Sequence, residues 1–71
     1  MEATRTQDVW MVTDGMGEYV AYYNPTGHVM DFTRAREEAR VTTDSYEAAE
    51  IARVARALYQ RKNMRFSIVL D

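Results

Sequence analysis

The tetrapeptide Asn24-Pro25-Thr26-Gly27 constrains the fold of this chain more than any other feature, because it favours a tight reversal. Asparagine suits the first position of a type I turn, proline presets φ at the second, and glycine accepts the left-handed conformation. Apolar and aromatic residues lie on both sides of it, at 18–23 and at 28–32. The pattern predicts a β-hairpin, with Gly27 as a β-bulge.

A second reversal lies upstream, at Asp14-Gly15-Met16-Gly17. Its two glycines permit positive φ, and β-branched and aromatic residues at 9–13 precede it. This combination is typical of a strand that enters a hairpin turn. The two reversals together predict three consecutive antiparallel strands.

A helix is predicted in the second half of the chain. Asp44 and Glu47 have the spacing of a capping box, in which each side chain satisfies a backbone N–H at the start of a helix. Apolar residues then recur at helical spacing on one face: Ala48, Ile51, Ala52, Ala55, Leu58 and Tyr59. We expect the helix to run from Ser45 to about Arg61 and to stop at Asn63.

Shorter elements complete the order. Residues 33–39 indicate a short helical turn, residues 40–42 an extended bridge, and residues 65–70 a last strand. The order β-β-β-short α-α-β predicts an α+β fold, a three- to four-stranded antiparallel sheet with one long helix packed on one face. The polar residues 1–7 predict a disordered N-terminal tail, and residues 8–71 predict a single α+β domain.

Composition argues against several classes of site. The chain has no cysteine and one histidine, which excludes a disulfide framework, a cysteine nucleophile and a multi-histidine metal centre within one chain. No apolar stretch approaches the ~20 residues of a membrane span, and we expect no secretory signal at residues 1–5. Gly15-Met16-Gly17 lacks the third glycine of a dinucleotide-binding loop. We therefore expect a cytoplasmic, non-enzymatic protein without cofactors.

The predicted strands carry apolar residues on both of their faces. With Thr13 opposite Glu18 and Tyr23 opposite Val29, alternation divides the strand residues into two sets. The first set is predicted to form the core beneath the helix: Val9, Met11, Val20, Tyr22, Met30 and Phe32, with Phe66, Ile68 and Leu70. The second set is predicted to be exposed in a monomer: Trp10, Val12, Tyr19, Ala21, Tyr23, Val29 and Asp31.

The second set indicates a partner surface, because one helix covers only one face of a sheet. Aromatic residues are typical anchors of protein interfaces. We predict that the chain binds another protein, or a second copy of itself as a homodimer, through these positions: Trp10, Val12, Tyr19, Tyr23 and Val29. Two alternatives stay open. Tails or long side chains cover this face within the monomer, or a strand shift of one residue exchanges the two faces.

The distribution of charge indicates an alternative function. Between Ile51 and Phe66 the chain has five cations and no anion: Arg53, Arg56, Arg61, Lys62 and Arg65. Arginine suits bidentate phosphate contacts, so a nucleic-acid-binding surface on the C-terminal half of the helix is the alternative prediction. A solvated helix face whose cations suit the helix dipole explains the same residues. The formal net charge of −2 favours this explanation, because nucleic-acid modules are usually basic.

Four short motifs follow one another along the chain: Gly17-Glu18-Tyr19, Phe32-Thr33, Ser45-Tyr46-Glu47-Ala48-Ala49-Glu50 and Phe66-Ser67-Ile68. In this order they resemble a loose, largely uncharacterised set of small α+β proteins of phages and prophages, over most of residues 8–70. The chain departs from that set at Val41, where a bulky aromatic residue usually stands. The resemblance implies a phage-encoded inhibitor or modulator of a host defence protein, such as an anti-CRISPR-type protein, in the host cytoplasm. It assigns a role to no individual residue.

Overall fold

The computed structural model describes residues 8–69, which form an antiparallel sheet with one α-helix packed on one of its faces. The regular elements follow in chain order: β1 (Trp10–Thr13), β2 (Tyr19–Asn24), β3 (Val29–Thr33), β4 (Val41–Thr42), α1 (Ser45–Leu58) and β5 (Arg65–Ile68), with short 3-10 turns at Thr26–His28 and Arg36–Glu38. This confirms the predicted α+β fold. The tail predicted at residues 1–7 lies outside the described residues, as do Leu70 and Asp71.

β1 is the central strand, and three other strands pair with it. β5 runs antiparallel along the whole of β1, from Trp10↔Ile68 to Thr13↔Arg65. β4 pairs with Trp10 and Met11, and β2 meets β1 at Thr13. Because β5 already occupies one edge of β1 at these positions, β4 and β2 share the opposite edge. β3 lies beyond β2, so the sheet has five strands where the sequence predicted three to four.

Both predicted turns close as hairpins through the residues that favoured them. In the first, the Asp14 N–H donates to the Glu18 carbonyl at 3.2 Å, and Gly15 adopts a φ of 76°. In the second, Pro25 has a φ of −63° and Gly27 a φ of 77°. These are the proline and left-handed conformations on which the predictions depended.

The predicted bulge, in contrast, lies elsewhere. Asn24 pairs with Val29 directly across the second turn, so Gly27 adds no extra residue to the ladder, and the prediction of a bulge there is wrong. The 3-10 turn accommodates Gly27 instead. The register shifts in the middle of β2, where Ala21 is the extra residue.

The bulge decides which side chains of β2 face the helix. Strand residues alternate between the two faces, and an extra residue resets the alternation. Val20 and Tyr23 both lie in the core beneath α1, with exposures of 1% and 5%, whereas Tyr22 is 46% exposed on the other side. The two neighbouring tyrosines therefore have the reverse of their predicted positions.

β1 also has the opposite orientation from the one predicted. Thr13 pairs with Tyr19 rather than with Glu18. Val12 is buried in the core at 3% exposure, so Met11, its neighbour, lies on the other face. A shift of one residue exchanges the two faces of a strand, which is one of the alternatives that the sequence left open.

The core lies between α1 and the sheet. Its buried apolar residues come from both layers: Val12, Val20, Tyr23, Met30, Ala48, Ile51, Ala52, Val54, Ala55 and Met64. Phe32 and Tyr59 pack against it, with ring centroids 5.7 Å apart in an edge-to-face arrangement. Burial of these side chains is the main source of stability for so small a domain.

The structure confirms part of the predicted core and corrects another part, and Leu70 lies outside the described residues. The confirmed members are Val20, Met30 and Phe32. The prediction is wrong for Met11 and Tyr22, which lie on the opposite face of the sheet. Phe66 lies on the predicted face, beneath the helix, but it is 41% exposed and so is not a core residue. Val12 and Tyr23, predicted to be exposed, take their places in the core.

Asp44 begins the helix, as predicted. Its carboxylate accepts hydrogen bonds from the N–H groups of Tyr46 at 2.9 Å and Glu47 at 3.4 Å. The reciprocal bond of a capping box is replaced, because the Asp44 N–H donates to the Thr42 hydroxyl at 3.1 Å. Glu47 accepts instead from Arg40 at 3.1 Å. The hydrogen bond from Thr42, followed by the one from Arg40, holds the pKa of Glu47 below its usual value.

α1 ends at Leu58, short of the predicted Arg61, and the prediction that Asn63 stops it is wrong. Gln60 has a φ of 58°, a left-handed conformation that an α-helix does not continue. The Arg61 N–H then reaches back to the Ala55 carbonyl at 3.1 Å. This closure leaves Arg61 and Lys62 in a loop rather than on the helix.

The cap supplies the first testable prediction. We expect Asp44→Ala to lower the free energy of unfolding by about 1 kcal/mol, because the N–H groups at the start of α1 lose their acceptor. Asp44→Ser keeps a side-chain oxygen and is the control, with a smaller loss. Urea denaturation followed by circular dichroism measures both, and an unchanged midpoint for Asp44→Ala would contradict the capping role.

Candidate protein-binding face

The sheet face that points away from α1 carries a group of apolar side chains, which we name the outer face: Met11, Tyr19, Tyr22, Val29 and Val41. Three of its members are exposed to solvent, Tyr22 by 46%, Val29 by 49% and Val41 by 53%. Met11 and Tyr19 are half-buried. The only α-helix of residues 8–69 packs on the opposite side of the sheet.

β2 and β3 supply the aromatic part of the outer face. Tyr22 pairs with Asp31, and both residues are exposed. The next pair along the ladder, Tyr23 with Met30, is buried beneath the helix, so Tyr22 and Asp31 lie on the outer face. Val29 lies diagonally across the ladder from Tyr22 on the same face, within reach of a large ring.

β4 extends the outer face between β1 and β2. Val41 pairs with Met11 of β1, and the Arg40 N–H donates to the Val20 carbonyl of β2 at 2.8 Å. β4 therefore lies between β1 and β2 at the end of β1 where these two strands no longer pair with each other. This position places Val41 on the same side of the sheet as Tyr19 and Tyr22.

The residues predicted to contact a partner are divided between the two sides of the sheet. Tyr19 and Val29 lie on the outer face. Trp10 lies on the helix side of β1 and is half-buried. Val12 and Tyr23 are in the core, so the exposure that the prediction required of them is wrong. The structure does not bring these five residues together on one surface.

Sequence reasoning missed Met11, Tyr22 and Val41 as members of the outer face. The predicted alternation places Met11 and Tyr22 in the core, because it includes neither the one-residue shift of β1 nor the bulge at Ala21. For Val41 a signal was present, since it alternates with the polar residues Arg40 and Thr42 in the manner of a half-buried strand.

Asp31 gives the outer face a negative charge. Its carboxylate lies beside Tyr22, and no cation among residues 8–69 forms an ion pair with it. Glu18, in contrast, is paired with the Arg61 guanidinium, Nε to Oε1 at 3.4 Å. Asp31 is therefore available to a cation from outside the described part of the chain.

A polar cluster joins the second hairpin to the helix on the other side of the sheet. The Tyr23 hydroxyl donates to Glu50 Oε2 at 3.1 Å and lies 3.1 Å from His28 Nδ1. Since a hydroxyl has one proton, His28 Nδ1 donates the second bond. The Tyr59 hydroxyl donates to the His28 carbonyl at 2.8 Å. These bonds hold the turn against α1, which is a structural role.

The cluster predicts how stability responds to alkaline pH. Burial, followed by the hydrogen bond to Glu50, raises the pKa of the Tyr23 phenol. A raised pKa in the folded state contributes stability that is complete below the unfolded value of about 10 and is lost as pH rises through the folded value. We expect the free energy of unfolding to fall above about pH 10, and to fall less steeply in Tyr23→Phe. Equal slopes in urea denaturation at increasing pH would contradict this.

Three of the five cations of the alternative prediction make contacts within the chain. Arg56 and Arg65 each donate through Nη1 to backbone carbonyls between α1 and β5, at 2.8 and 3.4 Å. Arg61 lies in the loop, with its guanidinium carbon 4.4 Å from the centroid of the Phe32 ring. Arg53 and Lys62 are exposed. These contacts favour a structural role for Arg56, Arg61 and Arg65, at the junction of α1, the loop that follows it and the sheet.

Residues 8–69 contain neither a metal-binding cluster of side chains nor a membrane-spanning helix. No cluster of three or more histidine, aspartate or glutamate side chains there is arranged to hold a metal ion. None of the helices in this part of the chain has the length and apolar character needed to cross a membrane.

Comparison of the chain with protein-family models, with curated proteins and with solved structures found no match. The resemblance to small phage proteins therefore stays a prediction.

Proposed function

We propose that this chain is a non-enzymatic interaction module that binds another protein through the outer face. The observation that carries the proposal is the exposure of Tyr22, Val29 and Val41 on the side of the sheet opposite the helix. Exposed apolar side chains that share one surface are typical of sites of protein contact. Burying them against a partner would remove apolar area from water, which favours association.

The strands make these side chains effective anchors. Ladder hydrogen bonds already hold the backbones of β2, β3 and β4, so binding orders side chains rather than chain segments. Tyrosine combines a large ring with a hydroxyl, has few rotatable bonds, and is enriched among residues that dominate binding energy. We therefore expect Tyr22 to contribute most.

Asp31 indicates the chemistry of the partner. A carboxylate beside Tyr22 favours a protein surface in which an apolar patch is bordered by lysine or arginine. A charge at the rim of an interface affects the association rate and its dependence on salt more than the final affinity. We expect Asp31→Asn to slow association at low ionic strength and to have a smaller effect at high ionic strength.

Inhibition of a host defence protein is the specific form of this proposal. The resemblance to small phage proteins supports it, and an inhibitor that occupies its target's surface needs neither a catalytic cleft nor a cofactor. Such a protein would act in the cytoplasm of the host cell. The outer face would be the part of the chain that covers the functional surface of its target.

The test compares three forms of the full chain: wild type, the double variant Tyr22→Ala/Val41→Ser, and Tyr46→Ala. Tyr46 is the matched control, because it is 87% exposed on the helix, away from the outer face. Each form is immobilised and exposed to a lysate of cells that carry the gene, and retained proteins are identified by mass spectrometry. A retained protein is then purified and titrated in a calorimeter with each form.

We expect wild type and Tyr46→Ala to bind that protein alike, and the double variant to bind at least about tenfold more weakly. Circular dichroism checks that all three forms are folded. Equal affinity of the three forms would overturn the proposal, as would failure of the wild type to retain any protein. Binding of the purified chain to random DNA that weakens steeply with salt would instead support the nucleic-acid alternative.

A further inference from the structure

Strand β5 forms one edge of the sheet. Among residues 8–69 it pairs with β1 alone, which leaves its second edge without a backbone partner. Phe66 on this strand is 41% exposed, and its ring packs edge-to-face against Trp10 at 5.6 Å between centroids. An edge strand with exposed apolar side chains is a template for pairing with another strand.

The directions of the free hydrogen-bonding groups follow from the ladder. The Val69 N–H donates to the Val9 carbonyl at 2.7 Å, which makes this a hydrogen-bonded pair. In antiparallel pairs such positions alternate with positions that do not bond across the ladder. Ser67 therefore points its backbone groups at β1, and Phe66 and Ile68 point theirs at the free edge.

We propose that the chain forms a homodimer in which β5 pairs antiparallel with β5 of a second copy. Two-fold pairing centred on Ser67 places Phe66 opposite Ile68 of the second copy, and Ile68 opposite its Phe66. This register satisfies the free backbone groups of both strands with about four hydrogen bonds. It also covers each exposed Phe66 ring with a β-branched side chain, which is a favourable cross-strand pair.

Like-charge repulsion disfavours the same kind of pairing at β3, the strand at the other edge of the sheet. Full overlap of two β3 strands, Val29–Thr33, would centre on Asp31 and place two carboxylates opposite each other. Like charges directly opposite destabilise a strand pair. Pairing of two β5 strands centred on Ser67, the register that the free backbone groups favour, places Ser67 against Ser67 and Arg65 against Val69, the residue that follows β5. Arg65 therefore does not lie opposite Arg65 of the second copy.

The dimer would form one sheet that continues through both copies. Pairing of this kind has its two-fold axis perpendicular to the sheet, so both helices lie on one side and both outer faces on the other. A partner with two equivalent sites would then bind with increased avidity. This last consequence depends on the proposed function, whereas the dimer itself does not.

The first test uses a chemical cross-link in the purified protein. Because the chain has no cysteine, Ser67→Cys introduces a single thiol. The proposed register brings the two Cα atoms of residue 67 to about 4.5 Å, within the range of about 4.4–6.8 Å that a disulfide spans. We expect Ser67→Cys to form disulfide-linked dimers rapidly on mild oxidation. Tyr46→Cys, on the exposed helix surface, is the control and should remain largely monomeric.

The second test measures the unmodified chain. We expect sedimentation equilibrium to show a dimer that dissociates on dilution, with Phe66 and Ile68 amides that exchange with deuterium more slowly at high protein concentration. Phe66→Lys should weaken the dimer by at least about tenfold, whereas Val29→Lys, on the opposite edge strand, should leave it intact.

A wild-type chain that stays monomeric at the highest attainable concentration would overturn this inference. So would exchange rates at Phe66 and Ile68 that do not depend on concentration, or cross-linking of Ser67→Cys no faster than that of Tyr46→Cys. These measurements contain no partner protein. Their failure is therefore distinguishable from failure of the outer face to bind one.

Discussion

Replacing Tyr23 by alanine is expected to lower the free energy of unfolding by about 3–5 kcal/mol, the range for large aromatic residues in a core. Tyr23 is 5% exposed beneath α1, and its hydroxyl donates to Glu50. The variant loses apolar contacts and leaves a cavity between helix and sheet. Since a small domain has a total stability of roughly 5 kcal/mol, we expect much of the variant to be unfolded.

The neighbouring Tyr22 is the matched control. Tyr22→Ala removes the same side chain one residue earlier, but from the exposed outer face, so its expected cost is below about 1 kcal/mol. Thermal and urea denaturation of both variants measure the difference. Comparable losses, or a larger loss for Tyr22→Ala, would show that the bulge at Ala21 does not orient β2 as described.

Ile51→Ala is the second variant with a large expected effect. Ile51 is 2% exposed in the centre of α1 and is among the largest side chains that are fully buried. Truncating it removes contacts with the sheet and creates a cavity, so we expect a loss of about 2–5 kcal/mol. The midpoint of urea denaturation should fall accordingly, with the slope unchanged if folding remains two-state.

Leu58→Ala controls for the effect of alanine on the helix itself. Leu58 is the last residue of α1 and is 59% exposed, so little packing is lost there. We expect a change within about 1 kcal/mol. Since alanine has a higher helix propensity than either residue, equal destabilisation by the two substitutions would contradict the packing of the Ile51 face of α1 against the sheet.

The two proposed interfaces use different parts of the sheet. The outer face offers side chains of β1 to β4, whereas the dimer uses the backbone edge of β5. Substitutions at Tyr22 and Val41 should therefore reduce partner binding and leave self-association unchanged. Phe66→Lys should reduce self-association and leave partner binding unchanged, provided that the partner has a single site and so gains no avidity from the dimer.

Local features were predictable from the sequence, because neighbouring residues decide them. Pro25 and Gly27 determine the second turn through their own φ preferences. Asp44 determines the start of α1, because its carboxylate reaches N–H groups two and three residues ahead. Glycines at the first turn have the same effect. Each of these interactions is complete within a few residues of chain.

The candidate site was less predictable, because it depends on strand register. Alternation assigns faces correctly only when the register is known, and one residue of error exchanges every assignment. β1 had that error, and the bulge at Ala21 added a second exchange within β2. Nothing in the sequence around Ala21 distinguishes it from an ordinary strand residue.

By itself the sequence determined the order of strands and helix, the turns and the α+β class, since these follow from local conformational preferences and hydrophobic spacing. It also determined that more apolar strand surface exists than one helix covers. Only the tertiary structure decided which residues form that surface. The choice between Tyr22 and Tyr23, or between Met11 and Val12, depends on hydrogen-bond pairing between strands that are distant in sequence and on what the helix buries.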